Sequence, residues 1–345
     1  MGEVALADQY DLLIFDLDGV LYVGEDAVPQ AAETVTRLRG RDARLCYVTN
    51  NASRSAAKVA ELLTRLGVPA EQHQVLTSAQ AAAELLAESH PAGAPVLVIG
   101  APALADEVAA VRLTPVHRAD DKPVAVVQGY GPDVGWRQLA EAAVALADGA
   151  TWVATNVDLT VPSPRGPLPG NGALVAALVA AIGRQPDIVV GKPSPGLFAG
   201  AVRRFPAARP LVVGDRLDTD IAGAVRAGHH SVLVFTGVST PAEVLAAGPA
   251  ERPTYLARDL TDLLRPYPDV STRGGGTRCR GWTVSATDGG HQLDGVGEPL
   301  DALRALCAAA WADPGSAPDG EPVIAATAEA AQALSEWGLT YRRKS

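Results

Sequence analysis

The chain has 345 residues, more than one ordinary domain holds, and its 48% hydrophobic and 20% charged content excludes a mostly disordered polypeptide. With Lys+Arg 29 against Asp+Glu 39, the net charge of −10 repels a phosphate backbone and an anionic lipid surface, so neither nucleic acid nor a membrane is expected as a partner. A small phosphate stays within reach of such a chain only if a cation accompanies it.

Residues 1–11 carry Glu3, Asp8 and Asp11 with no basic start, and the longest apolar stretch, 174–182, falls far short of the roughly 20 residues that span a bilayer. Neither secretion nor anchoring is expected. Short apolar runs ending in polar or glycine-rich clusters then alternate with Ala- and Leu-rich segments of helical spacing, which predicts an α/β fold. Strands are expected over 12–15, 44–48, 96–99, 124–128, 151–154, 188–190, 211–213 and 231–235. Helices are expected over 31–39, 55–66, 80–88, 136–147, 173–182, 196–204 and 218–227, with Asn171, Ser194 and Asp218 as caps. The stretch 265–276 mixes two prolines with a glycine triplet and reads as a linker, followed by strand 282–286, helix 299–311, strand 322–326 and helix 328–337. Cys46, Cys279 and Cys307 are odd in number, widely spaced and form no CxxC pair, which fits a reducing cytoplasm and no disulfide framework or zinc site.

Four polar clusters follow directly on apolar runs. The first strand ends in Asp16-Leu17-Asp18-Gly19, the second in Thr49-Asn50-Asn51, a later one in Gly191-Lys192-Pro193-Ser194-Pro195, and another in Gly214-Asp215-Arg216-Leu217-Asp218-Thr219-Asp220. Ligands of open parallel sheets bind at the carboxyl ends of the strands, where all four fall. Taken singly, each is as readily a turn or a helix cap: Gly19 supplies a positive φ, Thr49 caps, Lys192 is a solvated surface lysine, Asp215 closes a turn. Four in this order are hard to explain as independent turns.

Together they resemble the four ordered motifs of the haloacid dehalogenase superfamily of phosphohydrolases, matched by Asp16-x-Asp18, Thr49, Lys192 and Gly214-Asp215 with Asp220. Val48-Thr49-Asn50-Asn51, the Gly191 to Pro195 run and the Gly214 to Ile221 run are most similar to its 4-nitrophenyl-phosphatase branch, which includes glycerol-3-phosphate, phosphoglycolate and pyridoxal phosphate phosphatases. The resemblance spans roughly residues 8 to 265. It implies a Rossmann-like parallel-sheet core in two segments, 1–80 and 184–265, with an α/β cap inserted at 81–183; beyond it, the composition and pattern give a linker at 266–276 and a small C-terminal α/β module at 277–345. The interval from Thr49 to Lys192 is far longer than one crossover needs, as an insertion requires.

The resemblance also implies a role for each residue. Asp16 attacks phosphorus to form an aspartyl phosphate, and Asp18 acts as general acid and then base. Thr49, Asn50 and Asn51 hold phosphate oxygens, Lys192 neutralises nucleophile and phosphoryl group, Asp215 ligates Mg²⁺ with an Asp16 oxygen and the Asp18 backbone carbonyl, and Asp220 orients the set. Elementary electrostatics agrees: two like charges about 4 Å apart at an effective dielectric of about 20 repel by roughly 4 kcal/mol, so converging carboxylates cannot receive a phosphate without cations.

Other signatures fail. Pro193 follows Gly191-Lys192 where a P-loop needs Ser or Thr, Gly170-Asn171-Gly172 lacks the third glycine of a dinucleotide fingerprint, and His229-His230 has no companion ligands and reads as surface or packing. In the cap, Thr155-Asn156-Val157-Asp158 and the 162–172 run (PSPRGPLPGNG) form either a specificity loop or a rigid turn, with Asn156 or Asp158 available to the hydroxyls of a small polyol. The tail resembles that of glycerol-3-phosphate phosphatases carrying a shortened N-acetyltransferase-like module. Arg273-Gly274-Gly275-Gly276 sits in the expected linker rather than between a strand and a helix, so acetyl transfer is not expected; docking or dimerisation is.

The expected activity is Mg²⁺-dependent hydrolysis of a small phosphomonoester, glycerol 3-phosphate first, with phosphoglycolate, pyridoxal phosphate or a sugar or nucleotide phosphate as alternatives. A phosphotransferase and a non-catalytic phosphate sensor are the readings from other classes.

Overall fold

A computed structural model describes residues 4–343 apart from 162–164, 274, 288–289 and 313–322. Its central sheet has six parallel strands in the order Tyr255–Ala257, His230–Val234, Pro210–Gly214, Leu12–Phe15, Arg44–Thr49, Val75–Thr77. The Leu-Leu-Ile-Phe run of the first strand is wholly buried, as a strand covered on both faces requires. Because this strand lies between Pro210–Gly214 and Arg44–Thr49, the strand order reverses beside it and a crevice opens at its carboxyl end, where Asp16 begins.

A second parallel sheet, ordered Ile188–Val189, Thr151–Ala154, Ala125–Gln128, Pro95–Ile99, Thr114–Val116, carries the helices Trp136–Ala147 and Asn171–Ile182. Two details differ from expectation. The run at 188–190 joins this sheet as an edge strand, with Ile188 exposed, and is not part of the core sheet; an apolar run does not say which sheet it will join. The helix Ser78–Ser89 starts earlier than expected, because Thr77 ends a core strand and also caps the helix, its hydroxyl taking the Gln80 N–H while the Gln80 side chain takes the Thr77 N–H.

None of the three expected caps serves as one. Gly170 precedes the helix Asn171–Ile182, Pro195 precedes Gly196–Arg204, and Asp218 lies within the π-helical turn Leu217–Ile221. The Asn171 amide instead donates to the backbone carbonyls of Asn156 (2.7 Å) and Gln128 (3.3 Å), tying the cap together.

The tail forms a six-stranded sheet, Val270–Arg273, Gly276–Cys279, Trp282–Thr287, Gly290–Gly295, Val323–Ala325, Tyr341–Arg343, with helices Pro299–Ala312 and Ala328–Glu336. Half of the expected linker is therefore structure: Arg273 pairs with Gly276 across a tight hairpin, and Gly274 lies outside the described residues. That pairing places the glycine run before a strand, away from any helix start. Among the described residues the tail has no separate core. Its Trp282, Leu293, Leu303 and Leu334 are continuous with Leu217, Ile221, Leu233, Val244 and Leu256 of the first domain in one apolar cluster. Cys46, Cys279 and Cys307 are all buried and free, and among the described residues no helix is long and apolar enough to cross a membrane.

Candidate active site

Each of the four polar clusters emerges from the end of its strand into the same crevice. Lys192, 3% exposed, places Nζ 2.5 Å from Asp16 Oδ1 and 2.6 Å from Asp220 Oδ1. Carboxylate oxygens of Asp16, Asp215 and Asp220 lie within 4.8 Å of one another. Burial works against the lysine's charge, but the two carboxylates outweigh it and hold the ammonium well above its ordinary range, so it stays protonated. One lysine cannot balance three carboxylates. Burial first, then Asp220 and Asp215, push Asp16 well up, against the opposing pull of Lys192; burial and Asp220 push Asp215 up to about 6.

The hydrogen bonds separate the roles of Asp215 and Asp220. Both Asp220 oxygens are spent on protein, one on Lys192 and one on the Arg216 N–H at 3.2 Å. Asp215 Oδ2 accepts from the Val238 N–H at 2.7 Å, whereas its Oδ1 is buried with no partner. A buried carboxylate oxygen without a donor is costly, and a divalent cation is the partner its chemistry fits. Asp220 instead holds Lys192.

Asp18 stands at the rim. Its side chain is open to solvent on one side, yet protein packed on the other removes enough water to raise its carboxyl above the usual range, against the donated hydrogen bond from the Tyr22 hydroxyl at 3.3 Å. Gly19 must be glycine twice over: its φ is +80°, and a Cβ there would lie 2.4 Å from Asp215 Oδ2.

Raised carboxyls at Asp16, Asp18 and Asp215 bind protons more tightly folded than unfolded. Stability of the metal-free chain should therefore rise as the pH drops from 7 through about 6 toward the unfolded carboxylate value near 4. Asp11 and Asp218, whose carboxyls are lowered, oppose this only below that value, and His229, whose imidazole is lowered by burial, opposes it below about 6.5 as one group against three. Scanning calorimetry of the metal-free chain should show a higher midpoint at pH 5 than at pH 7; a lower one contradicts the assignment.

Thr49 is buried and its hydroxyl accepts from the Asn51 N–H. Asn51 itself is exposed and its carbonyl oxygen is spent on Ser53. Asn50 is a knot between core and cap: Nδ2 donates to the Lys192 carbonyl (3.0 Å) and Asp158 (3.2 Å), and Oδ1 accepts from the Lys192 N–H (2.8 Å). Its side chain is thus spent on holding Lys192, not on a phosphate. Asn50→Ala should lower stability by about 2 to 3 kcal/mol in urea unfolding, because it strands buried groups at Lys192; an unchanged midpoint contradicts the knot.

Asn156 corrects the expectation that it reads substrate hydroxyls. It is 3% exposed, its amide donates to the Asn50 carbonyl (2.7 Å), and its oxygen accepts from the Asp158 N–H (3.2 Å), so both ends serve the cap-core junction. Asp158 remains at the crevice with its carboxyl raised by burial. Gly170 and Gly172 pack against the Asp158 and Val157 carbonyls so closely that a Cβ would lie 2.3 and 2.1 Å away, which accounts for the glycines; 162–164 of the expected specificity loop lie outside the described residues. His230 packs, with Nδ1 2.6 Å from the Tyr10 hydroxyl.

One strand end was missed. After His230–Val234, the turn at residues 235–239 enters the same crevice. The Thr236 hydroxyl donates to the Gly19 carbonyl at 2.6 Å, Val238 N–H to Asp215, and Ser239 N–H to the Asp215 carbonyl at 3.0 Å. A Cβ at Gly237 would lie 2.0 Å from Asp215 Oδ2. Its signal in the sequence is fainter than at the charged clusters: small uncharged residues, Thr236, Gly237 and Ser239, shortly after a buried strand.

Comparison with known proteins agrees with this geometry. A haloacid dehalogenase-like hydrolase profile matches residues 13–114, a HAD-hydrolase-like profile 189–263, and a GCN5-related N-acetyltransferase-like domain 279–339. The D-glycerol 3-phosphate phosphatase of Mycobacterium tuberculosis is 44% identical over 97% of this chain and 96% of its own. The chain belongs to the haloacid dehalogenase-like hydrolases. Among solved members, a glycerol phosphate phosphatase of Mycobacterium tuberculosis in complex with magnesium superposes with a TM-score of 0.89 at 42% identity, covering 98% of this chain and 100% of its own. The p-nitrophenyl phosphatase of Archaeoglobus fulgidus, at 0.69 and 30% identity, covers 74% of this chain and 98% of its own. These two haloacid dehalogenase-like hydrolases thus differ in how much of this chain they cover.

Proposed function

We propose that this chain is a Mg²⁺-dependent phosphomonoesterase whose substrate is glycerol 3-phosphate. The observation that carries the reaction class is the buried Lys192 ammonium held between Asp16 and Asp220, beside an Asp215 oxygen with no donor. Asp215, an Asp16 oxygen and the Asp18 backbone carbonyl would hold Mg²⁺. When bound, the ion offsets charge on the phosphoryl oxygens.

Lys192 engages Asp16 at Oδ1 and so fixes the carboxylate for in-line attack through the other oxygen. A bond forms between that Asp16 oxygen and phosphorus as the bond from phosphorus to the ester oxygen breaks. Asp18, whose raised carboxyl can carry a proton closer to neutrality, protonates that oxygen and then takes a proton from the water that cleaves the aspartyl phosphate. Thr49, whose hydroxyl keeps its hydrogen while accepting from Asn51, and the Asn51 region would bind phosphoryl oxygens. Asp158 is the cap group we assign to the hydroxyls of the leaving polyol.

Glycerol 3-phosphate is favoured because the relative of that activity matches 97% of this chain, while the nitrophenyl phosphatase covers 74% of it. A cytoplasmic location, which the buried free cysteines fit, and self-association through the cap or C-terminal module accompany this reading. Release of inorganic phosphate should be fastest from glycerol 3-phosphate within a panel including phosphoglycolate and pyridoxal phosphate, and absent without Mg²⁺. No turnover of any ester contradicts the reaction class; transfer to a second metabolite without free phosphate would indicate a phosphotransferase.

A further inference from the structure

The tail meets the catalytic domain at one point that leads straight to Asp215. The Trp337 indole is anchored in the tail by its N–H, which donates to the Pro299 carbonyl at 2.8 Å. Its faces are taken by catalytic-domain residues: the Phe235 ring at 5.1 Å between centroids, inclined by 49°, and the Arg258 guanidinium at 5.7 Å. Arg258 is held there by Glu336 (3.4 Å) and Glu298 (3.7 Å), both from the tail.

Phe235 is the first residue of the turn that touches the carboxylate site. Its own N–H donates to the Ala257 carbonyl at 3.2 Å, and the next four residues supply the Thr236 bond to Gly19, the close approach of Gly237, the Val238 N–H on Asp215 Oδ2 and the Ser239 bond to the Asp215 backbone. Ser239 also accepts from the Leu217 N–H at 3.0 Å, and Leu217 belongs to the apolar cluster that the tail completes. Several of the contacts that fix Asp215 therefore pass through a turn whose leading side chain rests on the tail. Val238 is exposed, so little else packs on the outer side of the turn.

We propose that Trp337 is a positioning residue for the catalytic site: through Phe235 it holds the turn at 235–239 and thereby sets the affinity of Asp215 for its divalent cation. The N-acetyltransferase-like tail serves as a buttress of the metal site. This inference rests on Asp215 as the metal ligand. A ligand's hydrogen-bonded supports typically change metal affinity about 10- to 100-fold when lost, which sets the size of the expected effect.

The test is Mg²⁺ affinity by titration calorimetry on the full chain. Trp337→Leu should weaken Mg²⁺ binding about tenfold, and Trp337→Phe, which keeps a ring against Phe235, should restore most of it. Phe235→Leu approaches the same contact from the other side and carries the test should the tail variant not accumulate; the double variant should lose no more than about one of the singles, as for two residues acting as a unit. Turnover at saturating Mg²⁺ should stay close to wild type for Trp337→Leu. Trp311, whose indole donates to the Val244 carbonyl and lies under Arg252, joins tail and core away from the turn, so Trp311→Leu should leave Mg²⁺ affinity unchanged. Wild-type affinity in Trp337→Leu and Phe235→Leu, or an equal loss in Trp311→Leu, overturns the proposal while leaving Asp215 in place. A wild-type chain that binds no Mg²⁺ overturns both.

Discussion

Asp16→Asn should abolish turnover, lowering kcat by at least about 10³-fold, while the chain stays folded. The amide keeps the shape of the carboxylate and can still accept from Lys192 Nζ through its oxygen, so the packing around a side chain in this buried position changes little. What it loses is the anionic oxygen that forms the bond to phosphorus, and no neighbour replaces it: Asp220 is bound by Lys192 and Arg216, and Asp215 is fixed by Val238. Stability should be nearly unchanged at pH 7, because a carboxyl whose folded value is raised carries a penalty when ionised, and removing it offsets the weakened ion pair. Circular dichroism and a phosphate-release assay on the same sample check both halves. Retained turnover would reassign the nucleophile, and activity lost together with the fold would leave Asp16 a structural role only.

Lys192→Met should be more damaging to the fold. Methionine fills a similar volume but leaves Asp16 and Asp220 facing each other with no cation between them, and both are buried. Removing one partner of a buried ion pair costs about 3–5 kcal/mol, much more than an exposed pair would. The cost should be smaller at pH 5 than at pH 7, since the Asp16 carboxyl, which burial already pushes well above its ordinary range, takes up a proton more readily once the lysine is gone, and it should shrink again when Mg²⁺ is added. Urea unfolding at the two pH values, with and without Mg²⁺, measures this directly. Turnover should fall by at least about 10³-fold under all four conditions, because the cation that orients Asp16 and offsets the phosphoryl charge is gone. Lys192→Arg should not rescue it: a planar guanidinium in a pocket shaped for an ammonium cannot place one nitrogen between both carboxylates. Wild-type stability in Lys192→Met would mean that the lysine is not the charge that holds the site together.

The four clusters were legible in the sequence because each is a short apolar run followed at once by groups that chemistry needs. Asp16, Lys192, Asp215 and Asp220 converge as that pattern expects. Periodicity could not tell which sheet an apolar run joins, so residues 188–190 were placed in the core sheet when they edge the cap sheet. Residue type also could not separate a ligand from a tie. Asn50 and Asn156 look available to substrate in one dimension, and only the fold reveals that their amides are consumed at the cap-core junction. The turn at 235–239 was overlooked because Thr, Gly, Val and Ser carry no charge; it acts through backbone N–H groups and one hydroxyl, which any residue type could have masked. The same holds for the tail. Trp311 and Trp337 read as the apolar faces of helices, and what they pack against lies in another domain.

In the proposed mechanism the phosphoryl group passes through Asp16. Mass spectrometry of protein quenched in acid during turnover of glycerol 3-phosphate tests it most directly. The predicted result is the mass of one phosphoryl group on the peptide containing Asp16, present with Mg²⁺ and absent from Asp16→Asn. Phosphate released at the same rate with that peptide unmodified, or with the phosphoryl group on another residue, would contradict it.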